Sequence, residues 1–478
     1  LTLSAKGGSM TAHDYDLVCI GSGPAGQRAA IQAAKLGKRV AVIEKMRSIG
    51  GGCIDTGTIP SKTFREAVRR AYSRPGLATR QPVERVRPTM EQLIGHVSHV
   101  IQREIDIVRD ALTRNGIELV HGKASFESPH AIAVETADGR RRTSAANVLI
   151  AVGTVPSMPR GVAPDGEVIM TSDTILGLKH LPKSMVVVGA GLIGVEYAAM
   201  FAALGVQVTV IDQRERALEF LDREIVDELI HQLRARDVLF RFGERVADID
   251  IVGVPKQALL TLASGKHIVS DVVLFSAGRL GATTDLDLGA AGLAADERGR
   301  LAVDGSYRTA AANIWAAGDV IGFPALAATS AEQGRIAACA MFGHPATPMG
   351  SNFPVGIYAI PEISMVGKTE EELTAERIPY EAGIARYREI SRGPILGDDS
   401  GMFKMLFDRR TGRLLGCHCI GSGATELIHV GQAVLGLGGG LDYFLSTVFN
   451  YPTLAECYKV AAHNAANKIA LIERATRA

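Results

Sequence analysis

The first strong pattern in the chain is an apolar run that ends abruptly in glycines. From Tyr15 to Lys45 it reads YDLVCIGSGPAGQRAAIQAAKLGKRVAVIEK. An apolar strand passes into Gly21, Gly23 and Gly26, an Ala-rich helix follows to Leu36, and a second apolar strand ends on Glu44. Apolar runs of strand length on either side of a helical segment predict a βαβ unit with buried strands. The order repeats in MVVVGAGLIGVEYAAMFAALGVQVTVI, Met185 to Ile211, with Gly189, Gly191 and Gly194 at its turn, a helix to Leu204 and a strand to Asp212. Glu196 is the only charge between Met185 and Ile211, so this segment is long and apolar enough to imitate a membrane span. Its Val-rich ends, glycine turn and Ala-rich middle instead predict strand, helix and strand inside an α/β domain, with no membrane association.

Further patterns frame these two units. Thr89 to Gly116 carries apolar residues at helical spacing and stops at Asn115 and Gly116, which predicts one long helix. His96 and His99 stand one turn apart on it, and without a third ligand they read as a solvated face, not a metal site. NIWAAGDVIG, Asn313 to Gly322, reads as a strand ending in Gly318 and Asp319. A carboxylate just past a strand's end is placed to bond a ligand hydroxyl, or else simply forms a turn. From about Phe353 strands and helices continue without a third fingerprint, and this portion is assigned to subunit assembly. Within it Cys417 and Cys419 share one face of the strand RLLGCHCIG and read as packing residues.

Composition narrows the class. A chain of 478 residues exceeds what one core usually supports, so several domains are expected. Hydrophobic residues at 47%, charged residues at 22% and 52 glycines fit a compact enzyme rich in tight turns. Lys plus Arg at 52 nearly cancels Asp plus Glu at 51, which leaves no field to draw nucleic acid or an anionic membrane. Six scattered cysteines with no secretory signal ahead of them predict reduced thiols, no structural disulfides and a cytoplasmic protein. The opening LTLSAKGGS reads as an expression remnant, so residues 1–13 are left out of the fold as a disordered start.

The fingerprints carry specific chemistry. Gly21 permits the tight turn, Gly23 lets backbone approach a pyrophosphate, and Gly26 lets helix and sheet pack closely. The helix N-terminus offers unpaired N–H groups to phosphates, and Glu44 can accept hydrogen bonds from a ribose diol. Gly189, Gly191, Gly194 and Asp212 repeat the arrangement, so two dinucleotide sites lie in one chain. A carboxylate at Asp212 favours the free ribose of NAD(H) and repels a 2′-phosphate. Yet DQRER sets Arg214 and Arg216 just beyond it, and a guanidinium can grip that phosphate. The alternative is a solvated charge run beyond a strand.

GGGCIDTGTIPSK, Gly50 to Lys62, places Cys53 behind a glycine run. Its GGGC and IPSK flanks, the two fingerprints, IAVGTVPSMP from Ile150 and AAGDV from Ala316 together make a specific set. On these motifs the chain from Tyr15 onward resembles the flavoprotein disulfide reductases, the family of lipoamide dehydrogenase and glutathione reductase. The resemblance implies FAD, tightly but not covalently bound by Gly21, Ser22, Gly23, Pro24, Ala25, Gly26, Glu44, Lys45, Gly52, Cys53, Thr58, Lys62, Gly153, Gly318, Asp319 and Ala327. It implies NAD(P) bound by Gly189, Gly191, Leu192, Ile193, Gly194, Glu196, Asp212, Gln213, Arg214, Arg216 and Gly278. The expected fold class is α/β: two nested Rossmann-like dinucleotide-binding domains, for FAD and NAD(P), plus a C-terminal α+β dimerisation domain. The boundaries expected are 14–156 and 280–350 for FAD, 157–279 for NAD(P) and 351–478 for a homodimer or higher oligomer.

Two departures from that family bear on activity. A cysteine in the place of Cys53 exchanges with substrate there, and a second passes electrons from flavin to the disulfide. That second position is Thr58 here, whose hydroxyl cannot form a disulfide. The family's HPT motif supplies an acid/base histidine from the partner subunit, but this chain reads FNYPTLAE, with Tyr451 in its place. Tyr, with a pKa of about 10, is a poor base near neutrality. Both losses remove the same half-reaction and leave hydride exchange between nicotinamide and flavin.

GTIPSK, FNYPT, VIGFPALAATSAEQGRIAA and GPILGD are similar to the transhydrogenase branch of the family, soluble Si-specific flavoenzymes. These carry hydride from NADPH to flavin and then to NAD+, or the reverse. The resemblance further implies that Lys62 lies beside flavin N5, paired with Glu196, as a cation for the charge developing on the reduced ring. A helix from about Ala325 would aim its N-terminal dipole at the same ring. The same residues would also serve an NAD(P)H-dependent reductase whose acceptor is a quinone, oxygen or a small electrophile. A third reading, a retired family member kept as a binding subunit of an α-keto acid dehydrogenase complex, is opposed by the intact fingerprints, Lys62 and Glu196. Cys53 reads either as an inherited packing thiol or as a redox-sensitive group near the flavin.

Overall fold

The computed structural model describes residues 13–46, 48–72, 88–159 and 161–477. The expected remnant at the start lies outside the described residues except for His13. The chain forms two compact units, Leu1–Ser61 with Val97–Pro156 and Arg279–Met349, and Lys62–His96 with Ser157–Gly278 and Gly350–Ala478.

In the first unit, strand Tyr15–Ile20 pairs in parallel with Val40–Glu44 on one side and Gly139–Ile150 on the other. Strand Ile314–Ala316 joins the far side of Gly139–Ile150 in parallel, so distant parts of the chain share one sheet. Leu17, Val18 and Cys19 are completely buried, as continuous apolar strands of a covered parallel sheet should be. Helix Pro24–Lys35 buries an alanine stripe, Ala25, Ala29, Ala30 and Ala33. A Cβ added at Gly334 of helix Ala327–Met341 would stand 2.1 Å from the Ala25 carbonyl oxygen. Small residues on both helices thus let their backbones touch.

The second unit holds a five-stranded parallel sheet with Ser184–Val188 at its centre, flanked by Gln207–Asp212 and Val272–Phe275. The apolar segment Met185 to Ile211 resolves into strand, helix and strand. Helix Leu192–Ala203 buries Gly194 to Ala202 without interruption, and a helix apolar on every side belongs in an interior. Among the described residues no helix is long and apolar enough to cross a membrane.

The same unit carries a five-stranded antiparallel sheet in the order Val355–Ile357, Ile363–Gly367, Leu414–Ile420, Met402–Asp408 and Tyr380–Arg386. Helices Ala424–Gly436 and Glu456–Arg477 accompany it. Cys417 and Cys419 on the third strand are completely buried, and burial pushes the Cys419 thiol up to about 12. They pack, as their shared face predicted. Helix Met90–Arg114 ends where Asn115 and Gly116 stop it: the Asn115 side chain donates to the Ala111 carbonyl at 2.7 Å, and Gly116 has φ of 65°. His96 and His99 are exposed, and among the described residues no His, Cys, Asp and Glu cluster could hold a metal.

Candidate cofactor-binding sites

At the first fingerprint two glycines are demanded by the chain itself. Gly21 has φ of 107°, and a Cβ there would lie 2.3 Å from the Ala151 carbonyl oxygen. A Cβ on Gly26 would lie 2.0 Å from the Gly21 oxygen. Gly23 differs: its φ is −65°, which any residue adopts, and a Cβ there meets no described atom within 4 Å. The chain gives no reason for glycine at that point, and its absence of a side chain leaves room at the N-terminus of helix Pro24–Lys35. No described side chain caps that terminus, so the N–H groups of its first turn remain to be satisfied from outside. The glycine run Gly50, Gly51, Gly52 descends onto the same turn, where a Cβ on Gly51 would stand 2.8 Å from Gly23 Cα.

Glu44 is buried and ties these loops together. Its Oε2 accepts from the Ser22 N–H at 2.9 Å and the Ser22 hydroxyl at 2.6 Å, and its Oε1 accepts from Met46 N–H at 2.8 Å. Ser22 Oγ in turn accepts from Gly50 N–H at 2.8 Å. Pro24 and Ala25 open the helix, whereas Lys45 is exposed. Gly52 and Cys53 sit in the short turn Gly52–Asp55, and exposed Thr58 begins helix Thr58–Tyr72. Among the described residues no disulfide joins any of the six cysteines.

Across the same unit the third pattern is shorter than predicted. The strand closes at Ala316, and Asp319 opens a single 3-10 turn, because Gly318 takes φ of 85° and turns the chain. Gly318 N–H donates to Gln333 Oε1 at 2.8 Å, and Ser330 Oγ reaches Asp319 Oδ1 at 3.4 Å. Burial pushes the Asp319 carboxyl above its ordinary range, against the pull of the Arg279 guanidinium and Ser330. The following helix starts at Ala327, two residues later than the pattern suggests, since Leu326 N–H first turns back onto the Pro324 carbonyl at 3.0 Å. Arg279 was not expected: its Nε donates to Thr154 Oγ1 at 2.8 Å and its Nη2 to the Thr154 carbonyl at 2.9 Å, beside Gly153 with φ of 64°.

The second unit repeats the first fingerprint's geometry. Gly189 has φ of 107° and a Cβ there would lie 2.8 Å from the Ser276 oxygen, while one on Gly194 would lie 1.9 Å from the Gly189 oxygen. At Gly191 the nearest described atom is Arg214 Nη2, 4.0 Å away. Leu192 and Ile193 open the helix, Gln213 is exposed, and Gly278 takes φ of 125°. Buried Asp212 answers to Glu44: its Oδ2 accepts from Ala190 N–H at 2.6 Å.

Here the structure changes the reading of the two arginines. Arg214 donates its N–H and Nε to Asp212 Oδ1 at 2.8 and 3.0 Å, and its Nη2 to Oδ2 at 2.7 Å. Burial opposes the charge on Asp212, but Arg214 and the backbone donors outweigh it and hold the carboxyl below its usual range. Arg214 is therefore engaged within its own loop. Arg216 instead reaches Glu371 Oε1 at 3.8 Å.

Lys62 and Glu196 meet in this unit, Nζ to Oε2 at 2.8 Å. Two unexpected contacts come from Tyr358: its N–H donates to Glu196 Oε1 at 2.8 Å, and its ring lies 5.1 Å from Lys62 Nζ. No motif flags Tyr358, which lies far from both partners in sequence. Tyr451 is two-thirds exposed, with its hydroxyl 2.5 Å from that of Ser391.

Two strand, glycine-turn and helix units, each with a buried carboxylate closing its turn, define a protein built to hold two dinucleotides. Residues 15–334 match the family model of the pyridine nucleotide-disulphide oxidoreductases, and residues 353–462 match the dimerisation domain of that family. The chain belongs to this family and carries its dimerisation domain. It is 50% identical over 474 residues to a soluble pyridine nucleotide transhydrogenase of Mycobacterium bovis, covering 97% of this chain and 100% of the relative. A protein of the same name from Colwellia psychrerythraea is 43% identical over 464 residues, with 95% and 99% covered. Among solved structures, the HOCl-induced flavoprotein disulfide reductase RclA from Escherichia coli superimposes with a TM-score of 0.85 at 27% identity, covering 94% of this chain and 99% of that one.

Proposed function

We propose that the protein is an FAD-dependent soluble NAD(P)+ transhydrogenase, acting in the cytoplasm as a homodimer and interconverting NADPH plus NAD+ with NADP+ plus NADH. One observation carries the reading: both dinucleotide cradles are intact, while Thr58 stands where a second thiol would pair with Cys53. The relatives of 50% and 43% identity bear the matching name. On this reading FAD belongs to 14–156 and 280–350, NAD(P) to 157–279, and subunit pairing to 351–478.

The residues fit these groups. Gly23 and Gly191 leave room for phosphates at two uncapped helix N-termini, where backbone N–H groups and the helix dipole favour an anion. Glu44 and Asp319 would accept hydrogen bonds from hydroxyls of the flavin coenzyme, and Asp212 would serve the nicotinamide coenzyme's ribose. FAD, when bound, supplies reversible hydride acceptance and donation, the chemistry that no side chain here provides. Lys62, fixed by Glu196 and Tyr358, offers a positive charge that favours the reduced ring. Tyr451 stands where the family's HPT motif carries a histidine, so the imidazole that serves thiol chemistry there is missing from this chain.

The test is anaerobic reduction of thio-NAD+ by NADPH on purified protein showing a flavin spectrum, beside lipoamide and glutathione disulfide. Rapid coenzyme exchange with inert disulfides is expected. Flavin that is reduced by NADPH but does not reduce thio-NAD+ would end the proposal and point to another acceptor.

A further inference from the structure

We infer that Glu371 sets the discrimination between NADP(H) and NAD(H) by holding Arg216 in competition with the coenzyme's 2′-phosphate. The inference rests on the coenzyme pair proposed above. The loop after strand Gln207–Asp212 carries two arginines, and the structure divides them. Arg214 forks onto Asp212 and belongs to the loop's fixed floor, where it also tempers the carboxylate that would repel a 2′-phosphate. Among the described residues, Arg216 is restrained from outside the loop by one ion pair, 3.8 Å to Glu371, with side-chain exposures of 33% and 42%. That distance permits charge attraction without a hydrogen bond, and a half-exposed pair of this kind is weak and screened by salt. A phosphate monoester carries more charge and several strong acceptors, so it can draw the guanidinium away. When the ribose bears no phosphate, the Arg216 charge stays balanced by Glu371.

Glu371 does not drift at the surface, because its helix is locked on both sides. Thr369 caps Glu370–Ala375, its hydroxyl accepting from Glu372 N–H at 3.2 Å while the Glu372 carboxylate accepts from Thr369 N–H at 2.9 Å. The adjacent Glu370 lies 3.0 Å from the Nζ of Lys404, a completely buried lysine. Lys404 also bonds Asp222 at 3.0 Å and Glu224 at 2.7 Å, at the start of helix Arg223–Arg234, just downstream of Arg216. One buried ammonium thereby staples the acidic turn to the end of the arginine loop and fixes how near Glu371 stands to Arg216. Glu371 is a positioning residue that acts through Arg216.

The experiment is calorimetric binding of ADP and of adenosine 2′,5′-bisphosphate to the flavin-loaded protein and to Glu371→Gln, Glu371→Asp, Arg216→Ala and the Arg216→Ala/Glu371→Gln double variant. Glu371→Gln should tighten the bisphosphate about two- to fivefold, the span of an exposed ion pair, and leave ADP unchanged. In turnover it should lower KM for NADPH by a similar factor with kcat and KM for NADH unchanged. Glu371→Asp should keep the parent preference, and the gain should vanish in the Arg216→Ala background. Equal tightening of both ligands, no tightening of either, or a gain that survives loss of Arg216 overturns the inference. If the parent protein binds neither adenosine ligand, the coenzyme reading itself fails, a result distinct from normal binding that is indifferent to Glu371.

Discussion

The ammonium of Lys62 stands 2.8 Å from the carboxylate of Glu196, a residue only 2% exposed, and the second oxygen of that carboxylate is taken by Tyr358 N–H. The lysine is thus aimed by a buried anion instead of wandering in solvent. Lys62→Met should slow coenzyme exchange about a hundredfold, the scale of losing one preorganised electrostatic group. It should also cost stability, about 1–3 kcal/mol, because Glu196 is left buried without its counterion. Adding Glu196→Gln should recover the stability but not the rate, as read by thermal unfolding beside steady-state kinetics. Recovery of both would mean that Lys62 merely pairs Glu196.

The fingerprint glycines should separate by role. Gly23→Ala adds a methyl that meets no described atom, at a backbone angle alanine adopts freely, so unfolding of the flavin-free protein should shift by no more than about 0.5 kcal/mol while flavin retention falls sharply. Gly26→Ala drives a methyl to 2.0 Å from backbone oxygen and should cost about 3 kcal/mol or prevent folding. Denaturant unfolding and the flavin to protein absorbance ratio check the pair.

Asp212 gives a pH signature with a definite sign. Its carboxyl lies below the usual range in the folded protein, so its contribution to stability is present above the unfolded value, about 3.9, and disappears as pH falls through the lower folded value. Asp212→Asn should therefore be less stable than the parent at pH 7, and the gap should close as pH falls below the unfolded value, about 3.9, and through the lower folded one. A gap that stays constant down to pH 2 would assign the loss to shape instead of charge.

Among the described residues no disulfide involves Cys53, and Thr58 stands where its loop would carry a second thiol. Cys53→Ser should leave NADPH to thio-NAD+ exchange within about twofold, a change too small for a group in the reaction path. A loss of tenfold or more, or exchange in the parent protein that is abolished by thiol alkylation, would put the sulfur into the chemistry.

The chain by itself determined the two strand, glycine-turn and helix units, the long helix to Arg114 and the buried face of Cys417 and Cys419, because these follow from local periodicity and from backbone conformations that only glycine tolerates. It likewise presented Glu44 and Asp212 at strand ends where their chemistry could be named, whereas Lys62 and Glu196 were singled out through the family resemblance. Tertiary structure alone decided what those groups bond to. Arg214 and Arg216 read as equivalent along the chain, yet one forks onto its neighbour Asp212 and the other meets Glu371 across a domain's width of sequence. Tyr358, Arg279 and Lys404 lie in segments without a motif, and they matter through partners more than a hundred residues away. Periodicity reports which face of an element is buried; which charge sits opposite it depends on how the elements pack, and no local pattern carries that information.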